Sequence, residues 1–357
     1  MSSPERGPAP EKMQLLDLHQ RHGARWRNER GIQVPATYGD GEAEIAAVRE
    51  GCGLLDLSWS SLLELQGADR HRLLNGLVTC DVVALQPGQG IYGFFTSREG
   101  KVLSDLYLMA LEDRLWLELP ASTGSGIREQ IESHRVIDDV TVHSLGDMLP
   151  LAMIGPGAGA LLGVDDTLVA RDVHHRGSVV GTEVELSRRL LFGVEVTVLW
   201  IPAAIAEMFV EDLLAQGSQS GLRLIGLDTL EMLRLAAGVG RWGVDFGEDN
   251  LANETGLLDQ AVDFEKGCYL GQEIVARIHY RGKPSSQCCG LRLEGLSEEP
   301  RTGLSLSLAG RACGVLSSVG RNPQGNGWLG IAMLSRDALE SGGPLAVEGG
   351  GEARLRR

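Results

Sequence analysis

The spacing of apolar residues near the start of the chain predicts two short helices. Apolar positions recur at helical spacing in MQLLDLHQRHGARW (13–26) and in EAEIAAVREGCG (42–53), where Gly51 follows the last of them. Between 54 and 120, short apolar runs alternate with polar residues and are separated by glycines or charges, which predicts an antiparallel meander. A helix and a further strand are predicted over 122–145.

The middle of the chain predicts more strands and an amphipathic helix. The uncharged stretch MLPLAMIGPGAGALLGV (148–164) is interrupted by prolines and glycines, which is typical of a buried strand followed by a turn. Around 179–200 the alternation predicts two or more strands, and AAIAEMFVEDLLAQG (203–217) predicts a helix that ends at its last glycine. Helices and strands mixed in this way indicate an α+β organisation.

The last third of the chain predicts two further helices and, after them, a change to short strands. GLDTLEMLRLAAG (226–238) places leucines on one face, with Asp228 as a cap and Gly238 at the C-terminal end. GQEIVARIHYR (271–281) has one apolar face and late basic residues, so a helix is expected to begin near its first glycine. After Pro284, short alternating segments with glycine turns predict a small all-β unit, so a boundary is placed near that proline.

Composition and charge narrow the class of protein. The 357 residues carry a formal net charge of -15, so their field repels polyanions and no direct binding of nucleic acid is expected. Six cysteines without CxxC spacing favour a reducing cytoplasm over a disulfide framework. Residues 1–12 are polar and contain prolines, which predicts a disordered tail and no signal peptide. The longest uncharged stretch falls short of the roughly 20 apolar residues that span a bilayer, so no membrane association is expected.

Several short patterns have simpler explanations than a functional site. GPGAGA (155–160) departs from the GxGxxG spacing of a dinucleotide-binding loop and carries Pro156 in the turn. The adjacent His174 and His175 would point to opposite faces of a strand, so a solvated turn is favoured over a metal site. No metal site is predicted. Packing as small apolar side chains is the expected role of three late cysteines, which are Cys288, Cys289 and Cys313.

The segment DFEKGCYLGQEIVARIHYRGK (263–283) is the strongest candidate for a functional site. Cys268 lies just before the predicted helix, where unpaired backbone N–H groups and the neighbouring Lys266 both favour a thiolate. A buried structural thiol is the alternative. Gly267 and Gly271 allow tight turns around the cysteine. The side chains that can hydrogen-bond the loop or cap the helix are Gln272 and Glu273.

The segment KGCYLGQE (266–273), which includes Tyr269, resembles the signature of the YgfZ family of folate-binding proteins. That family is related to the aminomethyltransferase, or T-protein, of the glycine cleavage system. Other segments resemble the same family in the same order, and they are LHQRHGARW, VPATYGDGEAEIAAVREGCGLLDLS, LIGLDTLEMLRLAAGVGRWGVDF and ETGLLDQAVDFEKGCYLGQEIVARIHYRGKPSSQCCGLRL. The likeness runs from about residue 13 to the C-terminus.

The resemblance implies a three-lobed, cloverleaf-like α+β protein. Residues 13–284 would form two lobes around a cavity for tetrahydrofolate or a one-carbon derivative of it, and residues 285–357 would form a β-barrel that closes the cavity. It also implies an accessory role in the assembly or repair of iron–sulfur clusters. The partners would then be iron–sulfur proteins or assembly factors, and any effect on tRNA modification would be indirect.

The resemblance also implies contacts with the folate. Tyr92 resembles an aromatic residue that lies against the ligand, and Glu195 resembles a carboxylate that meets the pterin edge. The N–H donors of a pterin suit a carboxylate, and its flat ring suits an aromatic wall. Arg234 could face the anionic tail of the folate or form a structural ion pair.

The segment REGKVLSDLYL (98–108) bears on enzyme activity. In the aminomethyltransferases a paired Asp-Asp helps to handle the aminomethyl group, whereas here Ser104 takes the first position and only Asp105 remains. Serine holds no negative charge near neutral pH, so aminomethyl transfer is disfavoured. Two alternatives to the accessory role stay open. One is an aminomethyltransferase or other folate-dependent one-carbon transferase in which Asp105 takes over, and the other is a scaffold with a vestigial folate cavity.

Overall fold

The computed structural model of the chain describes residues 15–163 and 172–356. Its helices are α1 (Leu16–Arg21), α2 (Gly41–Glu50), α3 (Arg70–Asn75), α4 (Ala121–His134), α5 (Ala158–Leu162), α6 (Ala206–Gly217), α7 (Leu227–Ala237), α8 (Leu258–Ala261), α9 (Gln272–Arg281) and α10 (Arg336–Ser341). The predicted disordered tail, 1–12, lies outside the described residues.

The strands form four groups, of which the two larger sheets interleave along the chain. They are β1 (Arg25–Glu29), β2 (Ile32–Thr37), β3 (Cys52–Asp56), β4 (Ser60–Gln66), β5 (Gly90–Thr96), β6 (Val102–Ala110), β7 (Arg114–Pro120), β8 (Thr141–Ser144), β9 (Met148–Ile154), β10 (Val173–Val179), β11 (Thr182–Leu191), β12 (Val194–Pro202), β13 (Leu222–Leu224), β14 (Ser286–Glu294), β15 (Ser305–Leu308), β16 (Arg311–Arg321), β17 (Trp328–Ser335), β18 (Leu345–Val347) and β19 (Glu352–Leu355). A two-stranded ribbon, two larger sheets and a barrel are built from them.

The first lobe is built on a five-stranded antiparallel sheet in the order β5-β6-β7-β4-β8. Alternate residues of its strands face helices α3 and α4, because successive side chains of a strand point to opposite faces. Leu63, Leu108 and Leu117 are buried there against Ile131 of α4. The opposite face of β5, β6 and β7 is thereby left to line the interior of the molecule.

The second lobe is built on a six-stranded sheet in the order β10-β11-β12-β9-β3-β13, in which β3 and β13 run parallel. Leu54 of β3 and Leu199 of β12 pack under Phe209 of α6. The prediction of one continuous meander from residue 54 was therefore wrong at its first strand, because β3 pairs with β9 and β13 and not with β4. Apolar alternation indicates a buried face but does not identify the neighbouring strand.

The third lobe is a closed barrel with the strand order β14-β17-β16-β15-β18-β19. Its interior is filled by aliphatic side chains such as Leu291, Leu316 and Leu334. The predicted fold class, a three-lobed α+β protein with a C-terminal β-barrel, is confirmed.

Some predicted helices differ from the observed ones at their ends. Helix α1 is shorter than the predicted 13–26, because Gly23 adopts a φ of 76° and β1 follows it. Asp228 does not cap α7; Gly226 precedes that helix, and the Asp228 carboxylate accepts a hydrogen bond from Arg27 at 2.9 Å. Within the described ranges, no helix has the length and apolar composition that crossing a membrane requires.

The weak motifs have structural roles. His174 and His175 lie in β10, so the predicted turn was wrong; His174 is 6 % exposed, and its Nε2 lies 2.9 Å from a carboxylate oxygen of Glu185. In residues 15–163 and 172–356, no three His, Cys, Asp or Glu side chains come together as a metal site. The packing role predicted for the late cysteines is confirmed for Cys288, Cys289 and Cys313, which contact the apolar clusters of the barrel and its neighbouring loops.

Candidate functional site

A cavity of about 370 Å³ lies where β5, β6 and β7 meet the turn between β11 and β12 and the segment after α7. Aromatic side chains form much of its wall, and they include Trp59, Tyr92, Phe192 and Trp242. Charged side chains also line it, namely Glu29, Arg30, Asp105, Glu118, Asp172, Arg189 and Arg241. The described lining residues all precede the barrel. Apolar walls with a few charges are typical of small-molecule sites.

Asp105 is a buried carboxylate of the cavity wall that contacts an aromatic residue. It lies on β6, is 7 % exposed, and accepts a hydrogen bond of 3.1 Å from the hydroxyl of Tyr92 on β5. Burial raises the pKa of Asp105 to about 6, against the opposing effects of the Tyr92 hydroxyl, Arg30 and Arg241. The carboxyl can therefore exchange a proton close to neutral pH, which suits either proton transfer or recognition of an N–H group.

Ser104 does not face this cavity. Its hydroxyl donates to the backbone oxygen of Asp105 and lies 2.8 Å from the hydroxyl of Thr123 on α4, and the residue is fully buried. Because neighbouring residues of a strand point to opposite faces, only the second position of the pair meets the cavity. Asp105 is therefore the residue of the pair that supplies a carboxylate to the cavity, and the expectation that Ser104 disfavours aminomethyl transfer stays a prediction.

Two arginines bring positive charge to the side of the cavity near Asp105. Arg30 lines the cavity and is exposed, so it lies at the opening of the cavity. Its guanidinium lies 4.7 Å from the ring centre of Trp242. Arg241 is 6 % exposed and donates to Glu29 at 2.8 Å. Both cations lower the pKa of Asp105, so they favour its ionised form.

A buried ion pair forms the far side of the cavity. Arg189 is 2 % exposed, donates to Glu118 at 2.5 Å and lies 4.3 Å above the ring of Tyr107. Its Nε and Nη1 atoms have no hydrogen-bond partner among the described residues. An unpaired buried donor costs about 1–3 kcal/mol, and the face of the Tyr107 ring under the guanidinium offsets part of that cost.

The other residues implied as folate-binding lie outside the cavity lining. The side chain of Glu195 is 57 % exposed and lies 3.7 Å from Arg188. Arg234 is fully buried and donates to Glu231 and Asp245, each at 2.6 Å. Of the two alternatives for Arg234, the structure therefore shows the ion pair. Tyr92 and Asp105 are the two implied residues that the fold brings together.

Lys266 of the motif is tied to a neighbouring backbone segment. Its ammonium group donates to the carbonyl oxygens of Asn75, Val78 and Cys80 at 2.8, 2.7 and 2.6 Å. Burial lowers the pKa of Lys266 to about 8, which leaves it mostly protonated at neutral pH. The same charge acts on the buried Cys80, whose thiol pKa burial nevertheless raises to about 12. The three N–H groups of the ammonium are thus directed to residues 75–80.

Cys268 is the exposed cysteine of the six, all of which lie in the described residues. It precedes α9, which begins at Gln272 as predicted. Gly271 has a φ of 86°, and a Cβ there would lie 2.3 Å from the backbone oxygen of Ser97, so the motif requires glycine at this position. At Gly267 a Cβ would meet only Asn75, at 4.0 Å, so glycine is not required there.

The remaining motif residues support the loop. Tyr269 is 6 % exposed, packs in the apolar cluster that contains Phe94 and Trp242, and lies 5.2 Å from the Lys266 ammonium, measured to its ring centre. Gln272 and Glu273 open α9, but no side chain within the described ranges caps that helix. Because Trp242 also lines the cavity, the motif loop and the cavity share one packed wall.

Replacing Lys266 by methionine should destabilise the protein by about 3 kcal/mol, because three backbone carbonyls would lose a charged donor while they stay largely buried. Urea unfolding measures the change. The control is Lys283→Met, which removes an exposed lysine paired with Glu340 at 2.9 Å and should shift stability by less than about 1 kcal/mol. Equal midpoints for the two variants would contradict this structural role of Lys266.

Sequence reasoning missed most of the charged lining of the cavity. Glu118 and Arg189 lie inside runs that alternate as buried strands, RLWLELP and ELSRRLL. A charge at a position expected to be buried is the signal that could have identified them, since such groups are rarely buried without a partner. Arg30 and Arg241 lie in loops and carry no such signal.

Comparison with known proteins agrees with this architecture. A family profile described as "GCVT N-terminal domain" matches residues 15–266. A protein of Desulforamulus reducens named aminomethyltransferase is 27 % identical over 314 residues, covering 85 % of this chain and 84 % of the relative. One of Saccharopolyspora erythraea with the same name is 27 % identical over 357 residues, covering 98 % and 95 %. The crystal structure of glycine cleavage system aminomethyltransferase T from Bartonella henselae superimposes with a TM-score of 0.86 at 24 % identity, covering 96 % of this chain and 95 % of that one, and shows the same fold.

Proposed function

The chain belongs to the GCVT N-terminal domain family, and on that premise we propose that it binds tetrahydrofolate, or a one-carbon derivative of it, in the cavity beside Asp105. The names of the relatives and the resemblance of KGCYLGQE to folate-binding proteins support this choice of ligand. The observation that carries the proposal is the buried Asp105 carboxylate, which lies next to Tyr92 in a cavity with aromatic walls.

The residues of the cavity fit the chemistry of a folate. Asp105 can accept hydrogen bonds from the N–H groups of the pterin, and Tyr92 offers a flat surface to its ring. Arg30 at the opening suits the carboxylates of the glutamate tail. Bound tetrahydrofolate supplies the nitrogen atoms that carry the one-carbon unit, and the chain binds and orients it.

We expect the purified protein to release or absorb heat on titration with tetrahydrofolate, which isothermal calorimetry measures. Glu195→Gln should keep the affinity, because this side chain is exposed and lies outside the cavity lining. Glu118→Gln should weaken binding, since it removes the charge that orients the Arg189 guanidinium in the wall. A folded sample that gives no heat with tetrahydrofolate or its one-carbon derivatives would overturn the proposal.

The second part of the proposal is an accessory role in the assembly or repair of iron–sulfur clusters, with an indirect effect on tRNA modification. The resemblance of the motif and the exposure of Cys268 support it, because a thiol can act on a partner protein only where the partner can reach it. Iron–sulfur proteins or assembly factors are the proposed partners, and the cytoplasm is the proposed location. Direct contact with nucleic acid or a membrane is not part of the proposal.

Aminomethyl transfer is the alternative function, and a specific observation favours it. Asp105 faces the cavity, and the relatives are named aminomethyltransferase. The decisive assay mixes the unmodified protein with tetrahydrofolate and an aminomethylated carrier protein and measures the methylenetetrahydrofolate formed. Robust turnover that Asp105→Asn abolishes would assign the transferase function, and a folate-binding protein without turnover would assign the accessory one.

A further inference from the structure

Asp245 joins elements that are far apart in the chain. Its side chain is fully buried; one oxygen accepts from Arg234 at 2.6 Å and from the backbone N–H of Arg241 at 2.9 Å. The other oxygen accepts from the hydroxyls of Ser317 and Ser318, both at 2.6 Å. One carboxylate therefore binds α7, the segment after α7 and the barrel at once.

A β-bulge explains why two adjacent serines reach the same oxygen. The register between β16 and β17 shifts between Leu316 and Ser318, so that Ser317 has no partner of its own in that ladder. Successive side chains of a regular strand point to opposite faces, but a bulge re-aims one of them. Ser318 also accepts a hydrogen bond from Arg234 at 2.9 Å, which closes the contact between the barrel and α7.

The contacts continue from Asp245 to the wall of the cavity. Arg234 donates to Glu231, and Glu231 forms an ion pair of 3.2 Å with the Nε of Arg241. Arg241 lines the cavity and is held at its far end by Glu29 at 2.8 Å. The backbone N–H of Arg241 is thus bound by Asp245, and its guanidinium is bound by the carboxylates of Glu29 and Glu231. Asp245, Ser317 and Ser318 themselves do not line the cavity.

We infer that Asp245 is a positioning residue through which the barrel holds Arg241 in the cavity wall, so that the barrel sets ligand affinity in a cavity it does not line. The inference rests on the proposed function, since it concerns the same ligand site. Loss of the serine hydroxyls leaves Asp245 with fewer donors and frees the segment that carries Arg241. The cation then moves relative to Asp105, and the ligand loses part of its charged surroundings.

The experiment compares Ser317→Ala/Ser318→Ala with the unmodified protein by calorimetry with tetrahydrofolate. We expect the double variant to bind about three- to tenfold more weakly, the range typical of mutations in a coupled network. Ser307→Ala is the matched control, because this half-buried barrel serine lies on β15 away from Asp245. Ser318→Thr keeps a hydroxyl and should retain the affinity. If the double variant fails to fold, the same calorimetric comparison is made with the single variants Ser317→Ala and Ser318→Ala.

A second readout separates positioning from general loosening of the structure. Burial raises the pKa of Asp105, and the hydroxyl of Tyr92 on β5, Arg30 and Arg241 each lower it. If Arg241 is displaced, the pH midpoint of tetrahydrofolate binding should rise in the double variant and stay in place in Ser307→Ala. Unchanged affinity and midpoint in a folded double variant would overturn this inference and leave the proposed function standing. Failure of the unmodified protein to bind would overturn the proposed function instead.

Discussion

Asp105→Asn should weaken tetrahydrofolate binding by about one to two orders of magnitude, because a hydrogen bond to a charged group contributes about 1.5–3 kcal/mol. Asparagine keeps the size of the side chain and can still accept from Tyr92, so the cavity should keep its shape. What it loses is the charge that attracts the N–H groups of the pterin. Calorimetry at a pH near 8, where the native carboxyl is ionised, measures the full effect.

The same variant should remove the pH dependence of binding. Burial raises the pKa of Asp105 to about 6, so the carboxyl takes up a proton as the pH falls through that value. The protonated form is neutral and attracts the pterin donors less. The affinity of the native protein should therefore be constant above about pH 7 and fall up to tenfold per unit below about pH 6. Asp105→Asn has no proton to gain there and should give a flat profile.

Ser104→Ala is the control for this pair of experiments. The serine neighbours Asp105 in sequence, but its hydroxyl contacts Thr123 on the opposite face of the strand. We expect its affinity and its pH profile to match those of the native protein. An Asp105→Asn protein that binds as tightly as the native one at every pH would show that this carboxylate does not meet the ligand.

Elements with strong local signals were predictable from the sequence. Helix α7 ends at Gly238, which has a φ of 75°, and α9 begins after Gly271, as the glycine positions indicated. The short strands of the barrel follow from alternation and glycine turns after Pro284. In each case the information lies within a few residues, where side-chain size and backbone freedom decide the conformation.

Pairing and side-chain direction were not predictable in the same way. Strand β3 belongs to the second lobe, although the next five strands build the first. No local sequence pattern indicates that the chain passes from one sheet to the other after β3. The roles of Ser104 and Asp105 depend on which face of β6 the first lobe covers, and that is decided by packing between distant elements. Lys266 was expected to act on Cys268, whereas the fold directs its ammonium to residues 75–80.

The cavity and the motif loop occupy different places in the molecule, which allows their roles to be separated by mutation. Tyr269 connects the loop to the packed cluster behind the cavity, but Cys268 itself is exposed and lines no part of the cavity. A change confined to this thiol should therefore leave the folate site intact. The proposed accessory function needs both the cavity and Cys268, since it assigns ligand binding to the cavity and contact with a partner to the thiol.

Cys268→Ala should leave folding and tetrahydrofolate affinity unchanged and abolish support of an iron–sulfur enzyme. An exposed side chain of this size contributes little to packing, so stability should change by less than about 0.5 kcal/mol. The measurement is complementation of a strain that lacks its own homologue, scored by the activity of a cluster-dependent enzyme. The control is Cys289→Ala, which removes a half-buried thiol whose pKa burial raises to about 11 and should complement fully. Full complementation by Cys268→Ala would show that this exposed thiol has no part in the accessory function.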